Sequence, residues 1–478
     1  MTLWNYDSLQ QALKDILQDI GTIAKDKSLS VDQVVIDSRK PCQNSLFIAL
    51  KGENTDGHNF LNQAQESGAK IAIVSHIPEN FNNPNLQLIL VKDTLEALRK
   101  LALFSRQRTK AKIIAITGSV GKTGTKEMLR CVFSSQGQTY ANTGNFNNHI
   151  GLPLSLANMP LNCEYGIFEM GMNHLGEIEP LSKLAKPHLA IITNVGPVHI
   201  EFFKDEQEIA LAKSEIFSGL VANGFALINR DNPHFEFLAN RAKINNISED
   251  NLLNFGTSHR ANYQIINQEI KGLNNSQVSV KLKNNQSISY QVSCTNQAVV
   301  VNSVIAVVAL DLFAKNFSNG IEAIKNYSSS DGRGKISEVK IAEKNIIVID
   351  DTYNASVLSM KAGFEHASNL KKILNKKRVI CAIGDMLELG EKSLELHHKV
   401  IAYLKEFNID FAILVGSQMT NASSEIKIEN FTTFTNSNEA SYAVADLLHD
   451  GDILYLKGSR GTKMEKIIEK LTLKTSAH

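Results

Sequence analysis

The 478-residue chain has almost no net charge: 50 lysines and arginines stand against 49 aspartates and glutamates. Without an excess of one sign there is no global field to draw in nucleic acid or an anionic membrane, so any phosphate recognition must come from a local site. Cysteine is also scarce. Cys42, Cys131, Cys163, Cys294 and Cys381 are odd in number, scattered, and form no C-x-x-C pair, which argues against a disulfide framework and a structural zinc site. No apolar run approaches the roughly 20 residues that cross a bilayer. The opening MTLWNYDSLQQALKDI has an amphipathic helical rhythm with acids in it, and lacks the basic head and apolar run of a signal peptide. These absences predict a soluble cytoplasmic protein with no membrane span and no nucleic-acid partner.

The length is too great for one core and suggests about three domains. Over 1–108, short strand patterns (VVIDS, SLFIAL, AKIAIVS, LQLILV) alternate with helical ones (HNFLNQAQESGA, DTLEALRKLALFSRQR), and the last ends in a basic cluster. A second block, 109–326, opens with the fully apolar strand KIIAIT. Its later strands YGIFEMG, LAIITNV and FALINR are also continuous apolar runs separated by helices, the pattern of a parallel sheet covered on both faces. Residues 251–295 alternate instead (YQIINQEI, QVSVKLK, SISYQVS) and predict antiparallel strands appended to that domain. AVVVNSVIAVVALDLF reads as a long apolar helix and YSSSDGRG as a linker. The third block, 327–478, offers four strands, KNIIVIDD, KRVICAIGD, FAILVG and DILYLKGS, in a smaller α/β unit.

The sharpest local signal is Ile113–Thr123, IIAITGSVGKT: strand, glycine turn, then helix. Glycines let backbone N–H groups turn toward an anion, and the helix N-terminus adds partial positive charge. Lys122 can reach β- and γ-phosphates, and the Thr123 hydroxyl can ligate Mg²⁺. The spacing is one residue short of the common phosphate-loop pattern, with Ile116 where the first glycine usually falls. Such a loop serves kinases, hydrolytic switches and ligases alike.

Three further segments narrow the choice. Glu169 ends the apolar strand before Met170 and Gly171. His199 follows another strand, in Thr193-Asn-Val-Gly-Pro-Val-His199. Lys213 lies in the helical run AKSEIF. Singly, each has a bland explanation: a strand-end acid, a structural histidine, a solvated lysine. In an open α/β sheet, however, ligands bind at the carboxyl ends of strands, so Thr123, Glu169 and His199 can converge on one metal cluster.

These segments together resemble the Mur ligases, over nearly the whole chain. The resemblance is carried by IDSRKPCQNSLFIALKGENTDGHNF, ITGSVGKTGTKEML, NTGNFNNHIGLPLSL, FEMGMNHLGEI, ITNVGPVHIEFF, AKSEIF, DDTYNASVLSMKAG, GDMLELG and KGSRGTKMEKII. It points within the family to the members that add D-alanyl-D-alanine. It implies a three-domain α/β architecture: an N-terminal unit for the UDP end of the substrate, a central phosphate-loop ATPase sheet, and a Rossmann-like C-terminal unit that closes over the nucleotide and binds the amine. The implied reaction is ATP-dependent amide ligation between UDP-N-acetylmuramoyl-tripeptide and D-alanyl-D-alanine, through an acyl phosphate, by a monomer.

The resemblance also assigns residues. Gly118, Ser119, Val120, Gly121, Lys122, Thr123 and Gly124 would cradle ATP. Thr123 and Glu169 would hold one Mg²⁺, with His199 and a carbamate formed on Lys213 by CO₂ near a second. Asn302 would meet adenine, Arg333 the phosphates and Asp351 the ribose. Ser38 and Arg39 would contact the uridine diphosphate, and Asn145, Asn147 and Asn148 the sugar end. Tyr353, Asn354, Lys457 and Arg460 would face the dipeptide. The chain departs from the family pattern at Ala298 and Val299, where a His-Asn pair is usual, and at Val357, where proline is common. The competing readings are the sibling ligase for the third amino acid, a folylpolyglutamate synthase-like ligase, and a nucleotide-dependent regulatory protein on the same scaffold. Asp231-Asn232-Pro233 partly matches the third-residue ligase's acceptor motif, but lies in the wrong domain and is followed by His234.

Overall fold

The computed structural model describes residues 2–19, 28–40, 42–79, 81–425 and 430–473. Its strands form three large sheets and one two-stranded ladder. The first large sheet runs Leu17–Asp19, Gln87–Val91, Ala69–Val74, Ser45–Ile48, Gln33–Val35 in space, parallel except at Leu17–Asp19. Helix Thr94–Arg108 packs with it, and Asp93 caps the helix by accepting from the Leu95 and Glu96 amides.

This unit is fastened to the next by buried polar contacts. Trp4, fully buried, donates through Nε1 to Ala157 O at 3.0 Å. Asn158 and Val34 exchange two hydrogen bonds, at 2.8 and 2.9 Å. Arg106 donates to Ala185 O and Lys186 O, filling carbonyls that the end of helix Ile178–Ala185 leaves without intrahelical partners.

The central sheet has nine strands. Three of them, Leu189–Ile192, Lys112–Thr117 and Tyr165–Glu169, are consecutive neighbours, all parallel and almost entirely buried. Thus the three segments that follow these strands emerge side by side at one edge. Helix Gln297–Phe313 is apolar nearly all round because it is buried nearly all round. The alternating region differs from expectation at its start. Leu252–Gly256 and the first residues of Tyr263–Gly272 continue the parallel sheet, and only the pairings with Asn275–Lys281 and Ser287–Val292 are antiparallel. The run LLNF is apolar enough for a covered position, whereas NSQVSVK buries every second side chain.

Residues 327–334 contain no helix or strand, and Gly332 and Gly334 adopt φ of +73° and +80°. The third sheet has six strands rather than four: Lys335–Ile341, Lys344–Asp351, Ile453–Lys457, Val379–Gly384, Phe411–Val415, Phe431–Phe434. The two unforeseen ones lie at the edges. KISEVKI is largely charged and FTTF has only four residues, so neither carries the apolar run of a covered strand. No helix among the described residues is long and apolar enough to cross a membrane.

Candidate active site

The phosphate loop is shaped by a second loop, 193–196, from the neighbouring strand. Ser119 N donates to Asn194 O at 2.8 Å, and Ser119 Oγ both donates to Gly196 O and accepts from Gly196 N. Thr193 Oγ1 donates to Val120 O at 2.6 Å. Gly118 stands at φ +152°, where an added Cβ would lie 2.0 Å from Thr193 Oγ1. Gly121, at φ +86°, precedes helix Lys122–Ser134 and turns its first amides toward the loop. Gly124, in the first helical turn, faces Asn302.

Charged and metal-type groups gather at this mouth. Lys122 folds back so that Nζ donates to Gly118 O at 2.7 Å. Burial lowers its pKa, Glu169 opposes that, and Arg333 adds to it. Thr123 Oγ1 donates to Glu169 Oε2 at 2.8 Å, and Asn147 Nδ2 donates to Glu169 Oε1 at 2.9 Å. Lys213 is buried, and burial followed by the Lys122 charge pulls its pKa well below the usual lysine value. Its Nζ has no hydrogen-bond or ion-pair partner among the described residues. Burial also lowers the His199 pKa, Glu388 opposes this, and Lys122 and Lys213 lower it further. Lys122, Glu169, His199 and Lys213 therefore share one electrostatic neighbourhood.

The remaining residues fall around it. Asn302 is buried and accepts from Thr125 Oγ1 at 2.9 Å, buttressing the phosphate loop from behind. Tyr353 lies between two guanidinium groups, with Arg333 3.8 Å and Arg460 5.7 Å from its ring centre, a stacking arrangement favoured by the ring quadrupole. Asp351 accepts from Lys457 Nζ at 2.6 Å and Tyr455 OH at 2.9 Å, with Lys457 itself buried. Asn354 is exposed at the rim. A cavity of about 200 Å³ separates Pro197–His199 from Asn354–Ser356, Leu387–Leu389 and Ser459–Gly461. Asn145 is exposed, and Asn148 Oδ1 caps the turn into helix Gly151–Ala157. Ser38 and Arg39 make their contacts within the N-terminal unit: Ser38 donates to Gln63, and Arg39 forks onto Asp37.

Three family models match in succession: "Mur ligase family, catalytic domain" over 30–106, "Mur ligase middle domain" over 116–310, and "Mur ligase, glutamate ligase domain" over 337–460. The UDP-N-acetylmuramoyl-tripeptide–D-alanyl-D-alanine ligase of Rickettsia prowazekii is 35% identical over 470 residues, covering 98% of this chain and 99% of its own.

The chain belongs to the Mur ligase family.

The ligase of the same name from Bacillus subtilis is 33% identical, with 97% and 98% of the two chains covered. The crystal structure of MurF from Acinetobacter baumannii superposes with a TM-score of 0.83 at 28% identity, covering 98% of this chain and 99% of the other. Within this Mur ligase frame, Asp231-Asn232-Pro233 proves structural. Asp231 accepts from the Thr257 and Ser258 amides, and Asn232 donates to Val195 O and to Asn194.

Sequence reasoning passed over Asn142. It is buried, accepts from Glu169 N at 2.9 Å, and donates to Phe146 O and Glu169 O. Lys126, also buried, donates to Asn142 O at 2.6 Å. The signal available was the density of asparagine in NTGNFNN beside a glycine. Asp56, His58 and His76 in the N-terminal unit also have ligand atoms within 4.8 Å of one another. They form a stack rather than a metal centre: His58 Nδ1 meets Asp56, its Nε2 accepts from Ser75 N, and His76 lies over the ring at 4.1 Å.

Proposed function

We propose that this Mur ligase joins D-alanyl-D-alanine to UDP-N-acetylmuramoyl-tripeptide, with ATP converted to ADP and phosphate, as the Rickettsia and Bacillus relatives are named. The observation that carries the reading is the meeting of Lys122, Thr123, Glu169, His199 and Lys213 beside a cleft lined by both the central and C-terminal units.

In this reading a carboxylate oxygen of the tripeptide attacks the γ-phosphorus and ADP leaves. The amine of the dipeptide then attacks the acyl carbon, loses a proton, and phosphate leaves carrying that carboxylate oxygen. Lys122 and the loop amides of Gly118, Val120, Gly121 and Gly124 would stabilise the charge on the transferring phosphoryl group, while Ser119, whose amide is bonded to Asn194 O, holds the loop in shape. Arg333 sits where its charge reaches Lys122, which suits a phosphate contact. Asn302 would offer its amide to adenine and Asp351 its carboxylate to the ribose.

The donor set fits Mg²⁺, which takes hard oxygen ligands. The Thr123 hydroxyl and Glu169 carboxylate would hold one ion. Lys213 is buried, and burial with the Lys122 charge shifts it toward the neutral amine that adds CO₂; its carbamate with His199 would hold a second. When bound, the ions supply charge neutralisation at the phosphates.

The cavity of about 200 Å³ is below the roughly 300–1,000 Å³ of drug-sized pockets. It suits a two-residue amine, with Asn354 and Arg460 in its lining, Tyr353 stacked near Arg460, and the Asp351–Lys457 pair on the adjoining strands. Ser38, Arg39, Asn145, Asn147 and Asn148 would line the path to the UDP-sugar end. We divide the work among 1–108, 109–326 and 327–478 of one chain acting as a monomer in the cytoplasm, where its nucleotide-linked substrates are made.

The test is ADP release. It should require both the UDP-muramoyl tripeptide and D-alanyl-D-alanine, and ¹⁸O in the tripeptide carboxylate should appear in the released phosphate. ATP turnover indifferent to both substrates would favour a regulatory protein instead.

A further inference from the structure

The proposed chemistry leaves Glu388 without a role, yet the fold takes care to aim it. Glu388 lies in the turn that follows strand Val379–Gly384. The Asp385 carboxylate accepts from the Gln418 and Met419 amides, at 3.2 and 2.8 Å. The Met386 amide donates to the buried His397 ring at 3.0 Å, and the Leu387 amide to Ser459 Oγ at 3.0 Å. Met386 and Leu389 are buried on either side. What projects from this fixed turn is the Glu388 side chain, on a backbone with φ of +61°.

It projects at His199. Glu388 Oε2 lies 2.5 Å from His199 Nδ1, and His199 also has a left-handed backbone, φ +57°. Non-glycine residues in that region are strained and persist only where the surroundings impose them. Here the strain stands on both sides of one contact between two different sheets. Gly390 completes the approach: an added Cβ there would lie 2.8 Å from Glu201 Cβ.

An imidazole has two ring nitrogens. A carboxylate at Nδ1 fixes the N–H on that side and leaves the Nε2 lone pair for a cation, orienting the ring and strengthening it as a donor. We infer that Glu388 is a positioning residue for His199, supplied by the C-terminal unit, so that the second cation site is complete only when that unit sits against the central sheet. The inference rests on the two-cation reading above.

The test is titration of the full chain with Mn²⁺ in the presence of ADP, with free ion followed by electron paramagnetic resonance. Wild-type protein should bind two ions beyond those held by ADP alone. Glu388→Ala should weaken one of the two by tenfold or more, the usual range for losing an outer-shell partner, and leave the other unchanged. Glu388→Gln keeps an oxygen beside Nδ1 without the charge and should fall between. Glu391→Gln, exposed on the following turn, should match wild type. The Glu388 side chain is 56% exposed, so truncating it opens no core. Two unchanged affinities in Glu388→Ala, or equal weakening of both, would overturn the inference while leaving the two-cation reading intact. A single ion in the wild-type protein would overturn both.

Discussion

Thr123 and Glu169, 46 residues apart in the chain, share a 2.8 Å hydrogen bond at the mouth of the phosphate loop. The bond forms because Glu169 ends a strand paired in parallel with Lys112–Thr117, from Tyr165 with Lys112 to Glu169 with Ile116, and Thr123 opens the helix that follows that neighbour. Asn142 then fixes the Glu169 backbone from the far side. Asn142→Ala leaves buried backbone groups unpaired, which costs about 1–3 kcal/mol each where water cannot reach them. We expect a lower urea midpoint and a several-fold higher Mg²⁺ concentration for half-maximal ligation. An unchanged Mg²⁺ requirement would remove Asn142 from any part in holding the carboxylate.

Lys213 offers a second test. Burial and the Lys122 charge lower its pKa and so favour the neutral amine, the form that reacts with CO₂. Lys213→Ala should abolish most dipeptide-dependent phosphate release and recover in part with short carboxylates such as formate or acetate. Full activity of the variant in bicarbonate-depleted buffer would eliminate the carbamate.

Gly118 has no room for a methyl group. Gly118→Ala combines an unfavourable φ with a contact of 2.0 Å on Thr193 Oγ1, and should cost about 1–3 kcal/mol of stability and raise the KM for ATP. Adding Thr193→Ala removes the clash but not the backbone strain, so stability should return only partly. Complete restoration in the double variant would mean that the backbone angle is immaterial.

The interface between the central and C-terminal units should weaken in acid. His366, buried on helix Val357–Ile373 and 3.0 Å from Thr295 Oγ1, has its pKa lowered by burial from 6.5 to about 4. Between those values the unfolded chain binds the proton and the folded chain does not. Its contribution is therefore fully present above about pH 6.5 and is lost as pH falls toward 4, amounting to about 2 kcal/mol by pH 5. In urea unfolding, His366→Asn should lose correspondingly less stability than wild type between pH 7.5 and pH 5. Equal losses would contradict the shift.

The sequence disclosed the site in proportion to how local each signal is. Lys122 and Thr123 sit in a strand–glycine–helix pattern that is complete within eleven residues. Glu169 is visible as an acid ending an apolar strand and His199 as a polar residue shortly after another, and the two strands flank the one that leads into the phosphate loop. Lys213 was legible only through the family, because a lysine on a helix carries no mark of its burial. Ser119 and Thr193 lace two loops together, a relation that depends on strand order and leaves no trace in either segment. Asp351 and Lys457 read as separate contacts, whereas parallel pairing of their strands makes them one ion pair. The edge strands Lys335–Ile341 and Phe431–Phe434 escaped notice because edges need little apolar character.

The polar fastenings of the N-terminal unit have a mechanical result. Trp4, Val34 and Arg106 tie that unit to the central one through helix ends and backbone carbonyls. Those bonds join residues 153, 124 and 79 positions apart, so the N-terminal unit cannot swing away from the central sheet without breaking them. The glycine-bearing stretch 327–334 has no such ties of regular structure. Reorienting the C-terminal unit would need only backbone rotations in that stretch and the loss of contacts such as His366 with Thr295.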